Sequence, residues 1–448
     1  MKLAYAVGVL ALFIPDAPAA QVEAPSEPRF TFELNWEHAF RDDRNHDATW
    51  VVLRSASDGS PVTLAATGHA IVGEPAGELR VTADGGGVFV QLAEPYRGDV
   101  SWTVTLGLRE GWTERPEVWA VEMVYVPAGP FELGDSDPRA RELGSFHTAD
   151  GEGGAAGVVR VASEAALEVG SDRGTLTYAA SQYTGDGAGP VPREFPKGTR
   201  AFYAMKHELR QGEYARFLNA LPPRWQARRR PDELPEDTED RASGSIEFVD
   251  GRFRAAQPTR PCNFVTWDDT CAYLDFLGLR PLTEFEFEKA ARGPSQPVAL
   301  DYPWGTASSD EMRRRVTPLR DLTPSGIEGV ARLDESNRAV IGASHYGVLD
   351  LAGSLWERVV SAGHAQGRAF RGTHGDGVLD PQSGDATNDD WPRGSRAASG
   401  IGFRGGAEYF GEPSLTNPFS AVGIRTFAAY DGAHRYKTYS ARGARTAP

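Results

Sequence analysis

A chain of 448 residues is long enough for two or three domains with cores of their own, so it is not a small stapled scaffold. Glycine (50) and proline (31) are enriched while hydrophobic residues stand at 40%, which points to a globular chain rich in turns with few, short helices. The formal charge of −15 argues against nucleic acid and anionic membrane surfaces as partners, because neither is attracted to a surface of like sign.

The first twenty residues, MKLAYAVGVLALFIPDAPAA, place one lysine before an apolar run from Leu3 to Ile14 and end in small residues. That is the plan of a secretory signal cleaved after Ala19 or Ala20. The run is too short to span a bilayer comfortably, and no later stretch approaches twenty apolar residues. The expectation is a secreted or periplasmic protein without a transmembrane segment.

From residue 28 to 122 the pattern is β. RFTFELNW alternates, ATWVVLRSA is rich in β-branched residues, and VFVQLAEPYRGDVSWTVTLGLR gives two more runs split by turn residues. Together they predict a sandwich of short antiparallel strands, with no catalytic constellation in it. A second domain, 123–448, opens on MVYVPAGPFELG, and a glycine- and alanine-rich insertion follows at about 135–198.

Two amphipathic helices are predicted over Arg210 to Leu221 and Thr266 to Leu279, the second with Thr266 as N-cap. A third begins at Thr283, where Glu286 three residues later completes a capping box. The two cysteines, Cys262 and Cys271, are too few for a disulfide framework or a zinc site. They read as a pair or as two buried thiols. Beyond Gly293 hardly any long periodic run occurs, so that region must be held by buried polar networks, aromatic packing or metal.

Several motifs now stand in order: VYVPAGPFELG, FYAMKHELRQGEYARFLNAL, FVTWDDTCAYLDFLGLRPLTEFEFEKAARG, YPWGT, YGVLDLAGSLWERVV and FRGGA. Together they resemble the formylglycine-generating enzyme, or sulfatase-modifying factor, family. The resemblance covers roughly Met123 to Phe427, with Gly423 to Arg425 standing for the family's closing Gly-Phe-Arg and a short basic tail beyond. It implies an α+β, loop-rich, C-type-lectin-like domain behind the all-β sandwich. It also implies a structural calcium ion held by Asp350, the carbonyls of Gly353 and Leu355, and Glu357. Hard carboxylate and carbonyl oxygens suit that ion, and a glycine lets the backbone curl inward. The alternative is that Asp350 and Glu357 form loop caps or ion pairs with arginines such as Arg358. A second calcium site of the family would start at Asn337, but the stretch that should supply its aspartate is shortened.

In active members of the family two cysteines hold copper(I), and Phe410 and Leu415 stand at those positions here. Neither supplies the soft thiolate that copper(I) requires, so formylglycine formation is not expected. The leading expectation is an exported binding or scaffold module for a peptide, glycan or protein, with Trp356, Trp391, Tyr409 and Phe410 lining its groove. The alternative is a metal-dependent oxidoreductase of the same superfamily with a histidine-based site, for which iron stays open. Its candidates are His374 and Asp376 in GTHGDG, with His345 and His364 as further ligands.

Overall fold

The computed structural model describes residues 11–13, 28–231, 244–308, 338–407 and 418–448. Its spine is an eight-stranded sheet. Seven strands run in the order Arg280–Pro281, Gly443–Thr446, Phe202–Met205, Pro116–Val126, Asp47–Ser55, Val88–Leu92 and Gly77–Val81, and Pro61–Val62 pairs beside Asp47–Ser55. Strand Pro116–Val126 passes straight through the position expected as a domain boundary. On one edge Met123 is in register with Ala48, and on the other with Met205. One hydrogen-bonded sheet therefore carries strands from both sides of that position.

A second sheet of four strands, led by Arg29–Arg41 and Tyr96–Gly107, covers one face of the leading region. Alternation explains the fit. Phe32, Leu34 and Trp36 from one strand and Trp102, Val104 and Leu106 from the other share a core with Val51, Leu53, Val88 and Val90 of the larger sheet. Of the expected leader, only Ala11–Phe13 is described, and it pairs with Glu33, Leu34 and Asn35. The seam between the two regions is charged as well as hydrogen-bonded. Lys206 lies 2.8 Å from Asp47 and 3.4 Å from Glu122, with Arg210 3.7 Å from the other oxygen of Glu122.

The helices form where their caps predict. Gln211–Ala220 buries Tyr214, Phe217 and Leu218. Trp267–Phe276 starts at Thr266, whose hydroxyl accepts from the N–H of Asp269 at 3.0 Å. Glu284–Arg292 starts at Thr283, and Glu286 returns the capping-box bond. Strand Trp356–Val360 lies at the centre of a three-stranded sheet, antiparallel to Ile401–Arg404 and parallel to Tyr439–Ala441. The segment after Arg425 is consequently no tail. It supplies Tyr439–Ala441 and Gly443–Thr446 to two different sheets and buries Arg442 and Arg445. The expectation of a short basic tail overlooked that strand pairing can fix a short segment whose own pattern carries no period.

Candidate functional site

The opening of the Tyr346–Val360 stretch is bent by three residues in the left-handed region of positive φ, Gly347 at φ +96°, Asp350 at φ +62° and Gly353 at φ +88°. An L residue such as Asp350 occupies that region at a cost, so the turn is over-determined by its surroundings. Leucines on either side hold it, since Leu349, Leu351 and Leu355 are all buried. Asp350 faces His207, whose Nδ1 is 3.3 Å from its Oδ2. Burial, reinforced by Arg210, lowers His207 to about 4, which keeps the imidazole neutral.

Glu357 is fully buried, and its partner is Arg442 rather than Arg358. All five N–H donors of Arg442 are used. Nε and Nη2 hold the two oxygens of Glu357, Nη2 also reaches Leu349 O at 2.8 Å, and Nη1 reaches Met205 O at 2.9 Å and Lys206 O at 3.4 Å. Arg358 instead donates to the carbonyls of Val265, Gly432 and His434. Beside this pair lies a third acid that the motif gave no sign of. Oε1 of fully buried Glu208 accepts the N–H of Leu355 at 3.1 Å. Burial pushes Glu208 well above the usual carboxylate range, and the charges of Glu357 and Asp350 push the same way.

Below this turn, helix Glu284–Arg292 presents Glu284, Glu286 and Glu288 to the interior, each matched by arginine. Arg404 of FRGGA reaches Glu288 at 2.7 Å and Glu284 at 3.3 Å, and Arg425 closes on Glu284 at 2.7 and 3.0 Å. Arg280 holds both oxygens of Glu286 at 2.8 and 2.6 Å. Arg425 also lies 3.7 Å over the ring of Phe146. Loops that lack periodic structure are thus fastened to one helix by bidentate, desolvated ion pairs.

An aromatic wall stands over strand Trp356–Val360. Trp356 contacts Phe427 at 5.4 Å and Phe403 at 6.3 Å, Phe403 contacts Tyr439 at 4.5 Å, and Phe427 contacts Phe419 at 5.8 Å and Tyr183 at 5.6 Å. Trp356 and Phe403 are buried, while Phe419, Phe427, Tyr430 and Tyr439 are half-buried and Tyr183 is exposed. Ala407 and Phe419, which flank residues 408–417, belong to the same cluster. Of the expected groove, Trp356 is in this wall. Trp391 is elsewhere, in the main core, donating its indole N–H to Thr373 O at 3.0 Å. Tyr409, Phe410 and Leu415 lie outside the described residues, as does Asn337. Sequence reasoning missed Phe403, Phe419, Phe427, Tyr430 and Tyr439, which are single aromatics in short strands, a single helical turn or loops, with no spacing to mark them.

The histidine candidates take separate partners. Nε2 of His374 accepts the N–H of Thr446 at 3.0 Å, so its lone pair is occupied, and burial with Arg445 and Arg280 nearby lowers it to about 2. Asp376 is an exposed turn residue accepting from Val378 N–H at 2.8 Å. His364 binds Ala429 O at 2.8 Å, and His345 packs edge-on against Tyr346. Among the described residues no group of three or more His, Cys, Asp and Glu side chains is placed to hold a metal ion. Cys262 and Cys271 are free, buried in the main core, and pushed well above the usual thiol range by burial. No helix among the described residues is long and apolar enough to cross a membrane.

The chain matches the family model described as sulfatase-modifying factor enzyme 1-like domain over residues 111–406. It is 32% identical over 107 residues to a formylglycine-generating enzyme of Thermomonospora curvata, covering 22% of this chain and 33% of that protein. It is 30% identical over 131 residues to proteins of Mus musculus and Bos taurus named inactive C-alpha-formylglycine-generating enzyme 2, covering 29% of this chain and 41% and 42% of theirs. The matches therefore span between a third and about two-fifths of the lengths of these relatives. With the family model covering most of the chain, and with the FRGGA arginine and the Glu284–Arg292 helix locked together as described, the chain belongs to the sulfatase-modifying factor enzyme 1-like domain family.

Proposed function

We propose that this is an exported member of the family that does not oxidise cysteine and instead binds a peptide or glycan outside the cytoplasm. One observation carries the reading: the wall around Trp356 offers stacking surface, whereas the chain's two thiols are both sequestered in the core. A copper(I) centre needs accessible thiolates, and a buried thiol with a raised pKa is neither accessible nor ionised at neutral pH. The positions the family uses for those ligands carry Phe410 and Leu415. Half-buried aromatic rings with a cationic neighbour suit an extended peptide or a sugar ring, and Arg358 lies 5.1 Å from the ring of Tyr439. Two of the similar proteins carry "inactive" in their names, which accords with loss of the reaction on a retained scaffold.

The reading is tested by titrating the full chain with copper(I) against a competing cuprous chelator, alongside tryptophan fluorescence with peptide and glycan panels. The expected result is no stoichiometric copper(I) uptake and a saturable fluorescence change that Phe427→Ala removes. Tight one-to-one copper(I) binding overturns it.

A further inference from the structure

A cavity of about 490 Å³ opens along the seam between the leading β region and the region that follows it. The turn from Arg41 to His46 and Arg80 line it from the leading side, and Tyr125, Arg200 and Tyr203 line it from the other. Seams of this kind are common places for ligands. The charge of the cavity runs against that of the molecule. The chain carries −15, yet the side chains lining this cavity include four arginines, Arg41, Arg44, Arg80 and Arg200, against two aspartates, Asp42 and Asp43. Asp42 is already engaged, since Arg97 holds its Oδ2 at 2.7 Å and the N–H groups of Arg44 and Asn45 donate to its Oδ1 at 2.9 and 3.0 Å. Arg80 is offset by Glu78 at 2.7 Å. Arg41 instead donates to a neutral group, Leu92 O at 2.9 Å, which fixes the guanidinium without neutralising it. Arg200 is exposed, and among the described residues only its backbone N–H is bonded, to Glu164 at 3.1 Å. A cleft lined by one sign of charge focuses its field on a small counter-ion.

The rest of the lining is aromatic and hydrogen-bond accepting. His46 stacks on half-buried Tyr125 at 4.6 Å and meets Tyr203 edge-on at 5.9 Å. A run of hydrogen bonds sets its tautomer. Gln91 turns its amide N–H to Glu78 at 3.1 Å, so its carbonyl accepts the Tyr203 hydroxyl at 2.9 Å, and the Tyr203 oxygen then accepts from Nε2 of His46 at 3.1 Å. Nδ1 of His46 is left with the lone pair. Burial, with Arg41 next, lowers His46 to about 4, so the ring is neutral and accepting at neutral pH. Asp43, on the same turn, adds an exposed carboxylate. A bare anion such as phosphate has little use for these acceptors. A hydroxylated ring with one carboxylate uses the whole lining: guanidinium forks for the carboxylate, acceptors for the hydroxyls and an aromatic face for the ring.

We propose that this seam cavity is a binding site for a uronic acid, with Arg41 and Arg200 taking the carboxylate and Asp43 and Nδ1 of His46 accepting from the hydroxyls. It shares no residue with the aromatic wall around Trp356, so its failure and that of the proposed function are distinguishable.

The test titrates the full-length chain by calorimetry with sodium galacturonate and sodium glucuronate, and with galactose, glucose and sodium phosphate as controls. At least one uronate is expected to bind saturably, with its neutral sugar and phosphate tenfold weaker or more. Arg200→Ala removes an exposed guanidinium, so it is expected to keep the wild-type melting temperature while weakening the uronate about tenfold or more. Phe427→Ala is expected to bind the uronate as wild type does. Binding of neither uronate, equal binding of the neutral sugar or of phosphate, full affinity in Arg200→Ala, or loss of binding in Phe427→Ala would each overturn the proposal.

Discussion

At the scale of single residues, the decisive contacts join positions far apart in sequence. Asp350, Gly353 and Glu357 were visible as a motif because they lie within eight residues of one another. Arg442 and Glu208, which decide what those residues do, carry no local mark and emerge only from the fold. Removing one member of a buried ion pair strands the other. Glu357→Ala is therefore expected to cost about 3–5 kcal/mol in urea unfolding. The double variant Glu357→Ala/Arg442→Met should recover much of that loss, and a double variant no better than the single would show that the pair is not coupled. His374 gives a pH signature. Its folded value of about 2 lies below the ordinary histidine value of 6.5, so below pH 6.5 the unfolded chain takes up a proton that the folded chain refuses. Stability is lost as pH falls through that window. Burial raises Asp47, Asp135 and Asp275 to about 6, and they titrate in the opposite sense, so the difference between chains is the quantity to measure. Relative to His374→Gln, wild type should lose about 1.4 kcal/mol per pH unit between pH 6 and 4. Parallel profiles for the two chains would show that His374 contributes nothing to the pH dependence.

At the scale of elements, caps were legible and burial was not. Thr266 and Thr283 start helices where their side chains predict, because a cap is a contact between near neighbours. Beyond the capping box, nothing in EFEFEK marks its glutamates as interior, yet Glu284, Glu286 and Glu288 are all inside, each on an arginine from another segment. Arg404→Met leaves Glu284 with Arg425 alone and removes the 2.7 Å bond to Glu288. A loss of about 3–5 kcal/mol follows from breaking this pair. A change below about 1 kcal/mol in chemical unfolding would contradict the role given to the helix. Aromatic packing and the ion-pair network are two of the three devices expected to hold an irregular region, and both operate here.

At the scale of the whole molecule, the expected division at residue 122/123 falls inside a single strand, and the sheet through it joins Asp47–Ser55 to Phe202–Met205. A boundary read from composition marks a change of pattern, and hydrogen bonding across it is invisible in one sequence. Continuity of the sheet, with Lys206 pinned between Asp47 and Glu122, predicts one cooperative thermal transition for the described regions. Two separated calorimetric transitions would show that the sheet does not couple them. The family was legible from ordered motifs, whereas the sequence bears on the reaction only through what the family's metal ligands require. Loss of cysteine oxidation is tested most directly by incubating the purified chain with copper, oxygen and a cysteine-containing sulfatase-motif peptide, followed by mass spectrometry. Recovery of unmodified cysteine peptide is the expected result, and conversion of that cysteine to the aldehyde would contradict the proposed function.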